Sequence, residues 1–147
     1  MEIREIKKNK KQFISLLLLA DEQENMIDRY LDRGAMFVLD DGGVRSECVV
    51  TDEGEGVLEI KNIATYPVDQ RKGYASSLIQ YVAEKYRDQF SVLRVGTGDS
   101  PATVPFYEKL GFVRVGCIKN FFRDNYNHPI IENGVQLVDM IILQRRL

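Results

Sequence analysis

Residues 57–79 read VLEIKNIATYPVDQRKGYASSLI, and a change of pattern within them determines the fold. Val57 to Tyr66 is rich in apolar and β-branched residues, which predicts a strand. After Pro67 the apolar residues recur with a period of 3.6, which predicts an amphipathic helix. Its apolar face consists of Ala75, Leu78, Ile79, Val82, Ala83 and Tyr86. The run Ser91 to Val95 follows without a hairpin turn, so we expect it to return parallel to the first strand as a βαβ unit.

The other elements are predicted around this unit. Glu2 to Lys7 predicts an edge strand, and the Leu-rich run Lys11 to Ala20 predicts a buried helix. Three consecutive antiparallel strands should lead into the βαβ unit. The remaining predicted elements are a helix from Glu22 to Gly34, strands Ala35 to Leu39 and Arg45 to Thr51, a helix from Pro101 to Leu110 with Ser100 as N-cap and Gly111 as C-cap, and strands Phe112 to Ile118 and Gln136 to Leu143. The segment Lys119 to Gly134 has no predicted structure.

The loop Gln70 to Ser76, between this strand and this helix, has the properties of an anion site. Free amides in a first helical turn and the positive end of the helix dipole favour phosphate, and Gly73 allows a close backbone approach. Arg71 and Lys72 add positive charge. No GxxxxGK[ST] motif is present, and Gly96-Thr97-Gly98 lacks the third glycine of a dinucleotide fingerprint, which disfavours ATP and NAD. An ordinary basic helix start is the alternative that these residues leave open.

Two motifs resemble the signatures of the GNAT superfamily of acyl-coenzyme A-dependent N-acetyltransferases. Gln70-Arg71-Lys72-Gly73-Tyr74-Ala75, preceded by Ile63-Ala64-Thr65-Tyr66-Pro67, resembles the pattern [QR]-x-x-G-x-[GA] after the fourth strand. Phe106-Tyr107-Glu108-Lys109-Leu110-Gly111-Phe112 is similar to the second signature, in which a tyrosine precedes a Gly-Phe pair. The two motifs occur in the family's order and at its spacing. The tail Asn120 to Gly134 also resembles a bacterial subgroup of unassigned substrate.

The resemblance implies an α/β fold with a mixed, mostly antiparallel central sheet, helices on both faces and one parallel strand pair that splays apart. Acetyl-coenzyme A would lie between these strands as the cosubstrate, without a metal. The main chain of Ile63, Ala64 and Thr65 would pair with the pantetheine arm. The residues implied for the pyrophosphate are Gln70, Arg71, Lys72, Gly73, Tyr74, Ala75 and Ser76. Asp99-Ser100 stands where many members carry an asparagine, and Ser100 is therefore included as a cofactor contact.

Acyl transfer to an amine needs a group that accepts a proton. A lysine-like amine with a pKa of ~10.4 is neutral only about one time in 2,500 at pH 7. Glu59, on the strand beside the cofactor, is the first candidate base, and Asp99 and His128 are weaker candidates. A structural glutamate on a solvent face is the alternative interpretation of Glu59.

The resemblance implies that Tyr107 protonates the departing thiolate, since a coenzyme A thiol should resemble cysteine with its pKa of ~8.5. The alternative is a core aromatic residue, because Tyr107 shares a helical face with Phe106 and Leu110. Asn62 could orient the acyl carbonyl or satisfy backbone groups at the splay.

The acceptor is predicted to be a small-molecule amine. Four acidic residues near the expected cleft favour a cationic one, namely Glu59, Asp99, Asp124 and Glu132. Phe121, Phe122 and Tyr126 could form an aromatic wall around the acceptor or cover an edge of the core. His128 could line the same pocket or be solvated.

The composition excludes several other classes. The chain has 147 residues, which suits one domain spanning residues 1–147. A net charge of -2 disfavours nucleic-acid binding. Cys48 and Cys117 form no C-x-x-C pair and there is one histidine, so a metal or redox site is not expected. No membrane span or secretory signal is visible, which predicts a cytoplasmic protein.

Two other interpretations remain open from the sequence. A GNAT-like module could bind acyl-coenzyme A or a partner without turnover, since a fold does not guarantee a function. A mainly structural homodimer could use the Leu-rich helix or the strand Gln136 to Leu143 as its interface. A homodimer is also compatible with an enzyme.

Overall fold

The computed structural model describes all residues from 1 to 147 as nine strands and five α-helices. The strands are β1 (Glu2–Ile6), β2 (Ala35–Asp40), β3 (Val44–Asp52), β4 (Val57–Thr65), β5 (Val92–Gly98), β6 (Val113–Ile118), β7 (Ile131–Glu132), β8 (Val135–Gln136) and β9 (Met140–Arg146). The helices are α1 (Ile14–Ala20), α2 (Glu24–Ile27), α3 (Tyr74–Tyr86), α4 (Val104–Lys109) and α5 (Phe121–Asn125). Short 3₁₀ turns cover Lys10–Phe13 and Pro67–Asp69.

Seven strands form one mixed sheet in the order β1-β2-β3-β4-β5-β9-β6, and β7 pairs with β8 in a separate hairpin. Only β4 and β5 are parallel, and α3 connects them. The predicted fold class and the predicted βαβ unit are therefore confirmed. The predicted edge strand at the N-terminus is also observed, since β1 lies at one end of the sheet.

Strand β2 explains why helices cover both faces of the sheet. Its consecutive residues Met36, Phe37, Val38 and Leu39 are all fully buried. Because neighbouring side chains on a strand point to opposite faces, Phe37 and Leu39 pack in the larger core with α3 and α4, whereas Met36 and Val38 pack with α1 and α2. Each such side chain contributes about 1.5–3 kcal/mol by leaving water.

The predicted helix from Glu22 to Gly34 is wrong in its extent. Only Glu24–Ile27 is α-helical, and turns continue to Gly34. The apolar spacing correctly indicated which side chains are buried. After Ile27 the backbone includes hydrogen bonds that span three residues and not four, such as the bond from Tyr30 N to Ile27 O at 3.1 Å. The Lys10 ammonium donates a hydrogen bond to Gly34 O at 2.6 Å. Gly34 is needed for packing, because a Cβ there would lie 2.8 Å from Val49 Cγ1.

The helix that carries Tyr107 begins later than predicted. Residues 101–103 form a turn, and α4 starts at Val104. Pro105 explains the start, since a proline has no N–H to donate and is tolerated only in the first turn. The prediction that Gly111 ends this helix is confirmed. Gly111 adopts a left-handed φ of 91°, and Phe112 N donates a hydrogen bond to Tyr107 O at 3.1 Å.

The predicted last strand is displaced. It was expected at Gln136 to Leu143, but β9 covers Met140–Arg146, and Gln136 belongs to the β7–β8 hairpin. None of the helices is both long and apolar enough to cross a membrane.

Candidate active site

A groove opens where β4 and β5 part. The two strands are paired only from Val57 with Val92 to Ile60 with Val95. Beyond that point β4 stays paired with β3 and β5 with β9, so the facing edges of β4 and β5 are free. The resulting groove has a volume of about 790 Å³. Most of the predicted cofactor residues line it, namely Ile63, Ala64, Thr65, Gln70, Arg71, Gly73, Tyr74, Ala75 and Ser76.

The end of this groove at the start of α3 has the geometry of a phosphate cradle. The first helical hydrogen bond runs from Ser77 N to Gly73 O at 3.0 Å, so the preceding amides of the turn have no carbonyl within the helix. Arg71 and Gly73 adopt left-handed φ angles of 65° and 84°. No atom lies within 4 Å of the position that a Cβ of Gly73 would occupy. The loop is therefore open to an anion, and the residues present fit a coenzyme A pyrophosphate.

Side chains around the loop hold it in place. The Tyr74 hydroxyl donates to Asp41 Oδ2 at 2.6 Å, which ties the start of α3 to the β2–β3 hairpin. This carboxylate raises the pKa of Tyr74. Asp69 is buried under the loop, 3.6 Å from the Lys72 ammonium and 3.8 Å from Arg45. The side chain of Lys72 thus pairs with Asp69 and does not line the groove, in contrast to the prediction.

Ser100 also lies away from the lining of the groove, in contrast to the prediction. Its side chain is buried, and Oγ accepts a hydrogen bond from Ala102 N at 3.1 Å. It therefore caps the turn before α4 and does not line the groove, so the structure does not support the predicted cofactor contact. Ala102, Thr103 and Phe106 line the groove at this end instead.

Tyr107 combines a packed ring with a free hydroxyl. The ring makes edge contacts with Phe106 and Phe112, with centroids 5.1 and 5.5 Å apart. The hydroxyl has no hydrogen-bond partner in the protein, and the residue lines the groove. Burial above all, with the nearby Cys48, Glu132 and Glu47, raises the pKa of Tyr107. The hydroxyl consequently keeps its proton and can donate a hydrogen bond into the groove.

A second cavity of about 540 Å³ adjoins the groove and is lined by the predicted aromatic wall of Phe121, Phe122 and Tyr126. Tyr126 stacks on Phe122 with centroids 5.8 Å apart. The residues that line both spaces are Leu19, Ala20, Ile60, Lys61, Gly96, Thr97 and Glu132. The two spaces therefore meet beside the β4–β5 splay, and the second space is named the acceptor cavity below after the role proposed for it.

A buried polar network supports the acceptor cavity. Asp21 accepts hydrogen bonds from Tyr30 at 2.9 Å and from Tyr126 at 2.5 Å. Asn62 donates to the Tyr30 hydroxyl and to Leu17 O, both at 3.0 Å. The amide nitrogen of Asn62 therefore joins β4 to α1 and not to backbone groups of the splay, and its Oδ1 is buried without a partner. Burial raises the pKa of Asp21 despite the two tyrosine donors.

Glu59, the predicted base, lies in the acceptor cavity and is ion-paired on both oxygens. Arg94 Nε donates to its Oε1 at 2.5 Å, and the Lys61 ammonium contacts Oε2. The carboxylate is almost fully buried between these cations. The solvent-face interpretation is therefore wrong, while a catalytic role stays a prediction that competes with an ion-pair role.

The weaker candidates lie outside both cavities. Asp99 is exposed and 3.7 Å from Arg114. His128 is exposed, with Nδ1 2.7 Å from Asn127 Oδ1 and Nε2 3.9 Å from Glu22. Asp124 is also exposed and lines neither cavity. No group of three or more His, Cys, Asp or Glu side chains is placed to hold a metal ion.

The β7–β8 hairpin brings a residue to the site that had no predicted element. Glu132 at the end of β7 lines both spaces, and Asn133 lines the groove. Asn133 and Gly134 have φ angles of 50° and 76°, as in a two-residue type I′ turn. The dipeptide Asn-Gly, here between Ile131-Glu132 and Val135-Gln136, is a strong hairpin signal and would have predicted this hairpin.

Comparisons with known proteins agree with the fold and the groove. Residues 32–114 match the family described as Acetyltransferase (GNAT) domain. The chain is 32% identical to the uncharacterized N-acetyltransferase YvbK of Bacillus subtilis (strain 168), an alignment that covers 90% of this chain and 87% of that protein. The chain therefore belongs to the GNAT acetyltransferase family and is an acyltransferase.

Two solved structures are similar over nearly the whole chain. A GNAT family acetyltransferase from Elizabethkingia anophelis, with acetyl-CoA bound, is 34% identical with a TM-score of 0.92, and the alignment covers 99% of this chain and 97% of that one. An IAA acetyltransferase from Bacillus cereus ATCC 14579 is 35% identical with a TM-score of 0.93 and 99% of each chain covered. The GNAT superfamily, which the two sequence motifs indicated, is thus confirmed.

Proposed function

We propose that the protein transfers an acetyl group from acetyl-coenzyme A to the primary amine of a small cationic molecule. The observation that carries this proposal is the junction of the groove and the acceptor cavity at the β4–β5 splay. The related Elizabethkingia enzyme holds acetyl-CoA, and a related Bacillus subtilis acetyltransferase was solved with CoA. Acetyl-coenzyme A is accordingly the cosubstrate.

Acetyl-coenzyme A supplies the activated acetyl group as a thioester when it is bound. The amides at the start of α3 would bind its pyrophosphate, and the free edge of β4 at Ile63 to Thr65 would bind the pantetheine arm. Tyr107 would act as a general acid and transfer its proton to the departing sulfur. The aromatic wall would exclude water from the acceptor side, which limits hydrolysis of the thioester.

The charges of the acceptor cavity support a cationic acceptor. Three of its four cations are already paired: Lys61 and Arg94 with Glu59, and Arg33 with Glu53. Glu22 and Glu132 have no lysine or arginine partner. Burial, and to a smaller extent the charge of Glu22, raises the pKa of Glu132, so the two carboxylates of the cavity repel each other. A positively charged ligand would relieve this repulsion.

Salt should weaken the binding of such an acceptor. For a preferred amine, we expect the apparent KM to rise about five-fold between low and high ionic strength, which corresponds to about 1 kcal/mol for one charge pair in a solvated site. Steady-state assays over a salt series measure this. Glu22→Gln should raise the KM of the amine cation but not that of an aniline, which is neutral at pH 7.

An acceptor screen tests the proposal itself. Acetyl-coenzyme A thioester cleavage is followed with alkyl monoamines, diamines, amino acids, anilines and anionic amines. We expect diamines and alkylamines to give the highest kcat/KM. A neutral or anionic acceptor that outperforms every cation would end the cationic assignment. Coenzyme A binding by calorimetry without turnover on any amine would favour the alternative, a non-catalytic acyl-coenzyme A-binding module.

For a homodimer, we propose an interface at a different strand from the last one. The last strand cannot serve as an interface edge, because β9 lies between β5 and β6. The opposite edge from β1 is β6, where Val113, Val115 and Ile118 are exposed beside unpaired backbone groups. We expect light scattering to give a two-chain mass that Val115→Asp reduces to one chain, with the exposed Val68→Asp as an unaffected control. A one-chain mass for the unaltered protein would exclude this dimer.

A further inference from the structure

We propose that Glu132, on the β7–β8 hairpin, is the group that accepts the proton from the acceptor amine. The proposal rests on the function proposed above and names a residue of that same site. Glu132 and Lys61 are the two ionisable residues that line both the groove and the acceptor cavity. Lys61 is a cation paired with Glu59, so Glu132 is the one acid at the place where amine and thioester meet.

The surroundings of Glu132 leave its carboxylate free to take a proton. No lysine, arginine or histidine lies within salt-bridge distance of it, whereas both oxygens of Glu59 are ion-paired. The other charged and titratable residues that line the acceptor cavity come from four parts of the chain: Asp21 and Glu22 from the α1–α2 connection, Arg29, Tyr30 and Arg33 after α2, Glu59, Lys61 and Arg94 from β4 and β5, and Tyr126 after α5. Tyr107 on α4 lines the groove. Burial, with a smaller effect of Glu22, raises the pKa of Glu132 above its ordinary value, which makes it a stronger base than an exposed glutamate.

The hairpin that carries Glu132 is fixed to the sheet. Leu137 N bonds to Ile130 O at 2.8 Å and closes the base of the hairpin, and both side chains are buried. Leu137 packs against β5 where Gly98 leaves space, since a Cβ on Gly98 would lie 2.5 Å from Leu137 Cδ1. Glu132 therefore projects from a packed element, as a base that acts at a defined atom requires.

The proposed reaction forms an amide bond and breaks the thioester bond. Glu132 takes a proton from the ammonium, directly or through one water, and the nitrogen lone pair forms a bond to the thioester carbonyl carbon. The C–S bond breaks, its electron pair goes to sulfur, and Tyr107 gives its proton to that sulfur to form the thiol. The second proton that the nitrogen loses on becoming an amide passes to Tyr107 through water and restores its hydroxyl. The proton on Glu132 leaves to solvent when the amide product has departed.

The test compares the unaltered protein with Glu132→Gln, an uncharged side chain of the same shape. At neutral pH we expect kcat/KM to fall about 100-fold. In the unaltered protein, the decrease of kcat/KM with falling pH should become steeper below the pKa of Glu132, where this carboxylate becomes protonated. The glutamine variant should lack this acidic limb of the pH profile. Glu22→Gln should move the limb to lower pH, because removal of a neighbouring negative charge lowers the pKa of Glu132.

Two further readouts separate catalysis from structure. Coenzyme A affinity and the thermal midpoint of Glu132→Gln should match those of the unaltered protein. Formate should restore part of the rate of Glu132→Ala but none of the rate of Tyr107→Phe. A glutamine variant with an unchanged rate and acidic limb, or a limb that only Glu59→Gln removes, would overturn the proposal. Failure of the unaltered protein to acetylate any amine would instead overturn the proposed function.

Discussion

Tyr107→Phe is expected to fold and to bind acetyl-coenzyme A nearly normally, and to lose turnover. The substitution keeps the ring that packs between Phe106 and Phe112 and removes a hydroxyl that has no partner in the protein. No buried group is left unsatisfied, so the thermal midpoint should change little. A positioned acid contributes about 10²- to 10⁴-fold, so we expect kcat to fall by that factor, or about 3 to 5 kcal/mol.

The pH dependence provides a second check on Tyr107. Because burial raises the pKa of Tyr107, the hydroxyl remains protonated through neutral and mildly alkaline pH. We therefore expect no loss of rate from tyrosine ionisation in that range. The alternative, a purely structural aromatic residue, predicts an unchanged kcat and at most a lower thermal midpoint. Measuring kcat, cofactor affinity and thermal midpoint on one preparation decides between them, and full turnover of the Phe variant would remove Tyr107 from the mechanism.

Gly73→Glu is expected to abolish coenzyme A binding, with a rise in Kd of more than about 100-fold, or about 3 kcal/mol. The new carboxylate would stand at the start of α3 and repel the pyrophosphate that the free amides attract. The space around Gly73 is empty, so the side chain can be accommodated without a clash. Isothermal calorimetry measures the affinity.

Gly73→Ala is the matched control for this charge effect. Gly73 has a left-handed φ of 84°, and any other residue there costs about 1–2 kcal/mol in backbone strain. The alanine variant carries that strain without the carboxylate, so it should be destabilised to a similar extent and retain most of the affinity. Unchanged affinity in the glutamate variant would show that the loop is not the pyrophosphate site.

Local sequence patterns predicted the βαβ unit and the loop correctly, because both depend on residues close together in the chain. The apolar period of α3 and the glycine at its start are such local signals. The same kind of pattern failed for Glu22 to Gly34. There, Lys10 and Asp21 bond to the segment from outside it and shorten the helix.

Residue roles were predicted less well, because they depend on distant partners. Glu59 has the type and place of a base, but Arg94, on a neighbouring strand, occupies its carboxylate. Glu47 on β3 is fully buried, and neither of its oxygens has a partner. Burial raises the pKa of Glu47 well above its ordinary value, which favours the uncharged form of this side chain. Nothing in the alternation around Glu47 indicates this burial.

The sequence by itself determined the family, the fold class, the loop between β4 and α3 and the tyrosine that faces the groove, since these are encoded in short motifs and in the periods of strands and helices. Only the tertiary structure decided which acid lines both the groove and the adjoining cavity. Glu132 reaches the groove because the β7–β8 hairpin packs on β5 through Leu137 and Gly98, contacts between residues far apart in sequence. Such packing selects one position for the hairpin through shape and burial, which no local period specifies.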